Sequence, residues 1–455
     1  MSRAAAGRAG VAALLVAIAA AQWALVARTL DVDPFFDEGT YLLSVQALRH
    51  GFTLGKDVFA SQPPLFYDLL RGLASVFAPT LRGLREATIA TTLLAVPTLY
   101  VLGRSAAGRA AGVLAACLLA IAPPFPLYGA RIFADVPALT LALAAVALAG
   151  VGAAEAAGAV LAAAVLVKLS AVTALPAVAA LLLAARVPPR RLLFAVGAAA
   201  VVVAAVALAH LSGLHRIWSD AVAYHRHAPR SPDDLSNGHE LRAYFNVRTP
   251  FLWLTLAGAA GALLGSWRVR AVWLWPLAAV VFVGAYSPLH ENHLLTLPFA
   301  FAPAVGVGLG SLVGRLGRLA PVALACAALL VAAGYVQQVR NVDSNRTPLD
   351  QRLVTAARRV EAATRPGDFV VSDQPYVPVL AHRHVPPDLV DTANLRFASG
   401  FLTDERVRAA IVRYRVRVVV VGRSFRARPA LLRWLRVSAA STSDVDGIRI
   451  FRLRR

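Results

Sequence analysis

The chain has 455 residues, 58% of them hydrophobic and only 16% charged, with a mean hydropathy of +0.62. No soluble domain needs that much apolar surface, so the composition excludes a soluble globular protein and points to an α-helical polytopic membrane protein. The net charge of +21 is almost all arginine, Lys56 and Lys168 being the only lysines, and it is spread over loops and tail, which argues for contact with anionic lipid headgroups and against nucleic-acid binding.

The first apolar run, near 9–30, lacks a small-residue cleavage site and reads as a retained span. Spans of about 20 apolar residues, or somewhat fewer inside a bundle, are predicted next near 86–103, 110–128, 135–151, 157–168, 170–185, 192–211, 250–266, 271–286, 294–313 and 319–336, about eleven in all. Cys117 and Cys326 lie inside such runs and imply neither a disulfide framework nor a cysteine metal site. Arg3 and Arg8, Arg104 and Arg109, Arg186 with Arg190 and Arg191, Arg268 and Arg270, and Arg315 and Arg318 fall in alternate loops, which predicts those loops to be cytoplasmic. The opposite, extracytoplasmic face then carries residues 31–85, the turn around Arg131, the junction at Lys168, the loop 212–249, "SPLHENH" and everything after 337.

The first external loop opens with "DVDPFFDEGTYLL", four acids placed where a helix leaves the bilayer. Asp31 and Asp33 read as solvated caps. Asp37 and Glu38 precede an amphipathic stretch predicted to lie along the membrane surface, with Phe35, Phe36 and Tyr41 holding the carboxylates at the interface. "FASQPPLFYDLL" follows, two prolines starting a second surface helix that contains Gln62 and Tyr67. Asp135 sits at the external mouth of the fourth predicted span, with Arg131 four residues earlier, within reach if both are helical. Lys168 is a point charge in apolar sequence, to be explained by a partner or by snorkelling. His290, Glu291, Asn292 and His293 cluster before a late span; two histidines three apart can ligate a metal but match no zinc signature. In the tail, 337–455, "GDFVVSD" and "RVRVVVVGR" read as strands and "TDERVRAAIVRY" as a Thr-capped helix, predicting a small α/β domain outside the membrane. The chain thus divides into a transmembrane catalytic part, 1–336, and a C-terminal domain, 337–455.

Several carboxylates and cations on one membrane face suit a substrate with an anionic headgroup and a lipid tail. In order and spacing, "FFDEGTYLL", "SQPPLFYDLL", "ARIFADVPA", "LVKLSAVTAL" and "HENHLLTLPFAFAPAVGVGL" resemble the GT-C-type glycosyltransferases, nearest in pattern to the protein O-mannosyltransferases and the aminoarabinose transferases acting on lipid A; the resemblance covers roughly residues 9–315. It implies catalytic roles for Asp37 and Asp135 and matches Lys168 to the family's lysine after the fifth span. It further implies transfer of a sugar from a polyprenyl-phosphate donor to an extracytoplasmic lipid, glycan or protein, with inversion. Asp37 is then expected to be the base, Asp135 to orient acceptor or sugar, and Glu38, Gln62, Tyr67, Arg131, Lys168, His290 and His293 to bind donor phosphate or substrate. Many members carry Glu-Lys before the proline where this chain has Ser61-Gln62. That change removes one acid that can bind a metal and one cation that can bind phosphate, so no cofactor is assigned and a divalent metal stays open. The rival readings are a membrane transporter of lipid-linked or anionic substrates, which calls for mid-bilayer charges or broken helices, and a scaffold whose tail is the working part.

Overall fold

The computed structural model describes residues 3–227, 229 and 234–454; the side chains of Arg3 and Arg8, and positions 228 and 230–233 of the predicted external loop, lie outside what it describes. The chain falls into two compact units, one built from 1–30, 85–205 and 232–346, the other from 31–84, 206–231 and 347–455.

The first unit is helical. Among the described residues of the whole chain, six helices are long and apolar enough to cross a membrane: Ala9–Thr29, Leu81–Ala107, Pro189–Ala209, Trp267–Ala285, Glu291–Arg315 and Gly317–Ser344. Five shorter apolar helices, Arg109–Ile121, Asp135–Gly150, Ala154–Val167, Leu169–Ala184 and Pro250–Leu264, accompany them. The chain is a multi-pass membrane protein. Where a single span is expected over 110–128, the helix stops at Ile121, because Pro123 and Pro124 remove the donors a continuing helix needs. The first span ends in a tight turn, Ala27–Thr29, whose carbonyls would be orphaned; the fully buried Arg85 guanidinium donates to Thr29 O and Leu30 O at 3.3 and 2.8 Å.

Helix Thr296–Arg315 forms the centre of this unit. Its glycines explain how. A Cβ on Gly308 would overlap the carbonyl of Gly258, and one on Gly310 would overlap Ala111, so small residues let helices Pro250–Leu264 and Arg109–Leu118 approach to backbone contact. By contrast, only 6% of the most apolar window of Pro189–Ala209 is buried inside the protein, leaving its Leu, Val and Phe side chains for lipid.

The second unit joins residues 31–84 and 206–231 to the tail. Its sheet runs β1 (Val370–Ser372), β2 (Val418–Val421), β4 (Ile448–Leu453), β3 (Ala439–Val445) in spatial order, with β1 and β2 parallel and the other pairs antiparallel. β1 and β2 are the strands expected from sequence; β2 is all valine because it is buried. Helix Asp404–Arg413 is capped as predicted, Thr403 Oγ1 accepting from Arg406 N at 3.3 Å. The hairpin β3–β4 turns on Asp446 and Gly447, both at positive φ (45° and 90°), the conformation a two-residue hairpin loop requires.

Candidate active site

Asp135, Lys168 and Asn292 meet in the first unit. Helix Asp135–Gly150 starts at Asp135. Helix Ala154–Val167 stops at Lys168, whose backbone is extended (φ −154°, ψ 132°), and a tight helical segment, Leu169–Ala174, leads into Leu175–Ala184. Trp275 Nε1 donates to Thr173 Oγ1 at 3.3 Å and ties that segment down. The break turns Lys168 inward: its ammonium lies 2.6 Å from Asp135 Oδ2, with side-chain exposures of 8% and 0%. The same oxygen accepts from Asn292 Nδ2 at 3.0 Å. Asp135 Oδ1 is buried and has no hydrogen-bond partner among the described residues. Snorkelling is therefore excluded for Lys168, and its carboxylate partner is not a residue of the opening acidic cluster. The expected helical i, i+4 relation between Arg131 and Asp135 is absent, since the helix begins only at Asp135; Arg131 is buried ahead of it.

Asn292 was legible only as a member of "HENH"; nothing in the pattern marked it as the second ligand of Asp135. It sits in the tight helix Glu291–Leu295, where His290 N donates to His293 Nδ1 at 3.1 Å. That bond uses one ring nitrogen of the buried His293, whose ring packs edge-on against Tyr286 at 4.6 Å. His290 lies beside it, ring centroids 5.7 Å apart. Among the described residues no group of three or more His, Cys, Asp or Glu could hold a metal ion.

The second unit holds the acidic motif. Asp37 is the second residue of helix Phe36–Arg49 and is half-buried, a negative charge at the positive end of the helix. Glu38 is fully buried, and its Oε2 accepts from Phe35 N at 3.0 Å, so this carboxylate caps its own helix instead of merely adding charge beside Asp37. Gly39 answers to packing: a Cβ there would meet Tyr376 N at 2.9 Å, because helix Tyr376–Leu380 lies directly on it. The helix is thus sandwiched more deeply than a surface-lying one, with Tyr41 edge-on to Phe66 (4.8 Å). Asp31 is exposed and pairs with Arg82 at 3.2 Å, as expected of a solvated acid. Asp33 is different; its carboxylate accepts from Asp350 N at 3.0 Å and its own N–H donates to Thr347 O at 2.8 Å, pinning the loop to the tail.

Gln62 and Tyr67 are both buried, with the Tyr67 hydroxyl 3.4 Å from Ser61 Oγ. Burial raises the Tyr67 phenol above its ordinary range, so it is a donor, not a base. Around them is a network that the sequence did not disclose. Asp388 pairs with Arg216, Arg396 and Arg406. Arg396, fully buried, also donates to Asp388 O and Asp391 O and stacks 3.8 Å over the Phe59 ring. Asp220 accepts from Ala60 N at 3.4 Å; burial pushes its carboxyl up to about 6, with Arg216 pulling the other way. Asp68 pairs with His210 at 2.7 Å. Arg216 and Asp388 are 172 residues apart and Asp68 and His210 142, so neither pair carries a spacing signal, and Asp388 and Arg396, eight apart, match no helical period.

No family model and no curated protein sequence matches the chain. Its fold matches solved structures. ArnT from Cupriavidus metallidurans bound to undecaprenyl phosphate superposes with a TM-score of 0.73 at 15% identity, over 97% of this chain and 98% of that one. The archaeal oligosaccharyltransferase AglB from Archaeoglobus fulgidus, in complex with an inhibitory peptide and a dolichol-phosphate, gives 0.56 at 14% identity, over 90% of this chain and 69% of that one. At such identities the likeness is one of architecture: the chain shares the fold of these neighbours, which are GT-C glycosyltransferases.

Proposed function

We propose that the protein transfers a sugar from a polyprenyl-phosphate donor to an extracytoplasmic lipid, glycan or protein acceptor, by inverting displacement at the anomeric carbon. The observation that carries this reading is the buried Asp135–Lys168–Asn292 constellation: an ion pair kept among apolar helices, with one carboxylate oxygen left without a partner among the described residues. Desolvating two charges for structure alone is a poor bargain compared with apolar packing, so the arrangement favours a polar substrate at that spot. The architecture shared with ArnT and AglB, each solved with a polyprenyl-type phosphate, points the same way.

In this reading Asp37 takes the proton from the acceptor hydroxyl, the oxygen forms the new bond to C1, and the C1–O bond to phosphate breaks with its electrons. Asp135 holds Lys168 so that one ammonium N–H is used internally and the other two face the departing phosphate. Arg131, His290, His293, Gln62 and Tyr67 belong to the same assignment, binding donor phosphate or substrate. Eleven spans, an extracytoplasmic site, and a division at 336/337 into catalytic and C-terminal parts complete the proposal. The test is to reconstitute the purified protein with a synthetic polyprenyl-phosphate sugar and compare envelope glycolipids, glycans and proteins between parent and deletion strains by mass spectrometry. The reading requires release of polyprenyl phosphate in the first assay and a missing sugar in the second; movement of lipid-linked sugar across the bilayer without bond cleavage would establish a transporter instead.

A further inference from the structure

We infer that the arginine-bearing end of the helical unit carries a second, separate site, built to hold a phosphate group. Helix Asp135–Gly150 has the carboxylate centre at its start; at its other end a cavity of about 490 Å³ is lined by Ser105, the turn at Gly150–Gly152, the turn Ala185–Pro188, Arg191 and Arg268. A space of this size is in the range of small-ligand pockets and exceeds what a bare phosphate fills.

Three arginines line it, Arg186, Arg191 and Arg268. Arg191 is held in place by a two-pronged pair with Glu155, Nε to Oε1 at 2.8 Å and Nη2 to Oε2 at 2.6 Å. Among the described residues, Arg186 and Arg268 have no carboxylate within ion-pairing distance, and both are exposed at the cavity mouth. Arg186 stands in the left-handed region, φ 54°. It occupies the position after a helix end where Val187 N bonds Leu182 O and Arg186 N bonds Leu183 O. Glycine is the ordinary residue there, and the neighbouring turn does use it, Gly152 at φ 77°. A general excess of arginine on this face is expected of a membrane protein. That excess does not call for an arginine on a backbone suited to glycine, nor for three arginines around one hollow. Arg268 moreover lies in the first turn of Trp267–Ala285, where the helix end is already positive, so its charge is disfavoured there until an anion arrives.

The shared ligand chemistry is a phosphate mono- or diester, whose oxygens accept forked guanidinium bonds. Its source is either an anionic phospholipid headgroup at the membrane surface or free phosphate. The site stands apart from the proposed sugar transfer, and neither depends on the other.

The test uses the full-length protein in a non-ionic detergent, measuring thermal unfolding and native mass spectrometry during titration with phosphatidylglycerol, inorganic phosphate and, as a phosphate-free control, diacylglycerol. Phosphatidylglycerol alone stabilising the protein saturably identifies the headgroup; inorganic phosphate doing so as well identifies a free-phosphate site. Arg186→Gly, which the left-handed backbone favours and which therefore folds, and Arg268→Gln each weaken binding about fivefold, the order expected for one arginine at an anionic surface. Arg315→Gln and Arg318→Gln, on the same face but outside the cavity, leave it unchanged. The inference is overturned if neither phosphate probe acts saturably, if diacylglycerol acts equally, or if the Arg186 and Arg268 variants bind like the parent.

Discussion

Lys168 and Asp135 decide how the charge at the centre of this protein is to be understood. One partner alone is a charge in an apolar surround, so removing either should cost more than stability of the pair itself: Lys168→Ala or Asp135→Asn is expected to lower stability by about 3 kcal/mol. The double variant Lys168→Met/Asp135→Asn should recover most of that loss, because no unpaired charge remains, while transfer stays abolished. Thermal unfolding and single-turnover transfer on the same three proteins separate the two effects, and a double variant with restored transfer would strip the pair of its proposed role. Asp220 gives a second residue-level test. Its folded carboxyl titrates at about 6, above the ordinary 3.8, so the folded state binds the proton more readily than the unfolded one. Stability tied to it is present in full below about 4 and is lost as pH rises through about 6. Asp373, held by Gly422 N and Phe425 N and likewise raised to about 6, acts in the same window. Melting temperature is therefore expected to rise as pH falls from about 7 to 5, and Asp220→Asn to flatten part of that rise; an unchanged pH profile in the variant would mean Asp220 is already solvated.

At the level of elements, close approach rather than propensity sets the packing. The run "FAFAPAVGVGLG" is legible as a span, but its function as the hub comes from Gly306, Gly308 and Gly310, each pressed on a neighbouring helix. Gly308→Val should drive helix Pro250–Leu264 away and lower stability by on the order of 2–3 kcal/mol, as overpacking does, whereas Gly314→Val, with open space around it, should be nearly silent. Equal melting temperatures for the two would show that the glycines are incidental. The apolar runs, the two valine-rich strands and the Thr403 cap were readable because each is a local pattern. The break at Lys168 was readable as a charge but not as a partner for Asp135, since 33 residues separate them. β3 was missed because "AASTSDV" is mostly exposed and polar and has no alternation, although Asp446-Gly447 carried the turn signal. The Arg216–Asp388–Arg396 network draws on residues up to 180 positions apart and leaves no trace in any window.

For the whole molecule, the order of chemistry along the chain proved more informative than any one motif. Asp135, Lys168 and Asn292 come from three separate loops that the arginine alternation assigns to one face, and they do meet. Arg186, Arg191 and Arg268, assigned to the other face, also share one cavity. That double agreement supports the topology, which predicts that a reporter fused after residue 337 is active only outside the cytoplasm and one fused near Arg268 only inside; the reverse pattern would move every site residue to the wrong side. The central claim is that the acid motif after the first span performs the chemistry and is not interfacial charge alone. It is tested most directly by single-turnover transfer from a synthetic polyprenyl-phosphate sugar with purified Asp37→Asn, beside Glu38→Gln, Asp31→Asn and Asp33→Asn. The account predicts a rate loss of about a hundred- to ten-thousand-fold for Asp37→Asn with folding intact, an intermediate loss for Glu38→Gln through the weakened helix cap, little change for Asp31→Asn, and for Asp33→Asn a loss of stability rather than of rate. A near-normal rate for Asp37→Asn, or equal losses at all four acids, would contradict it.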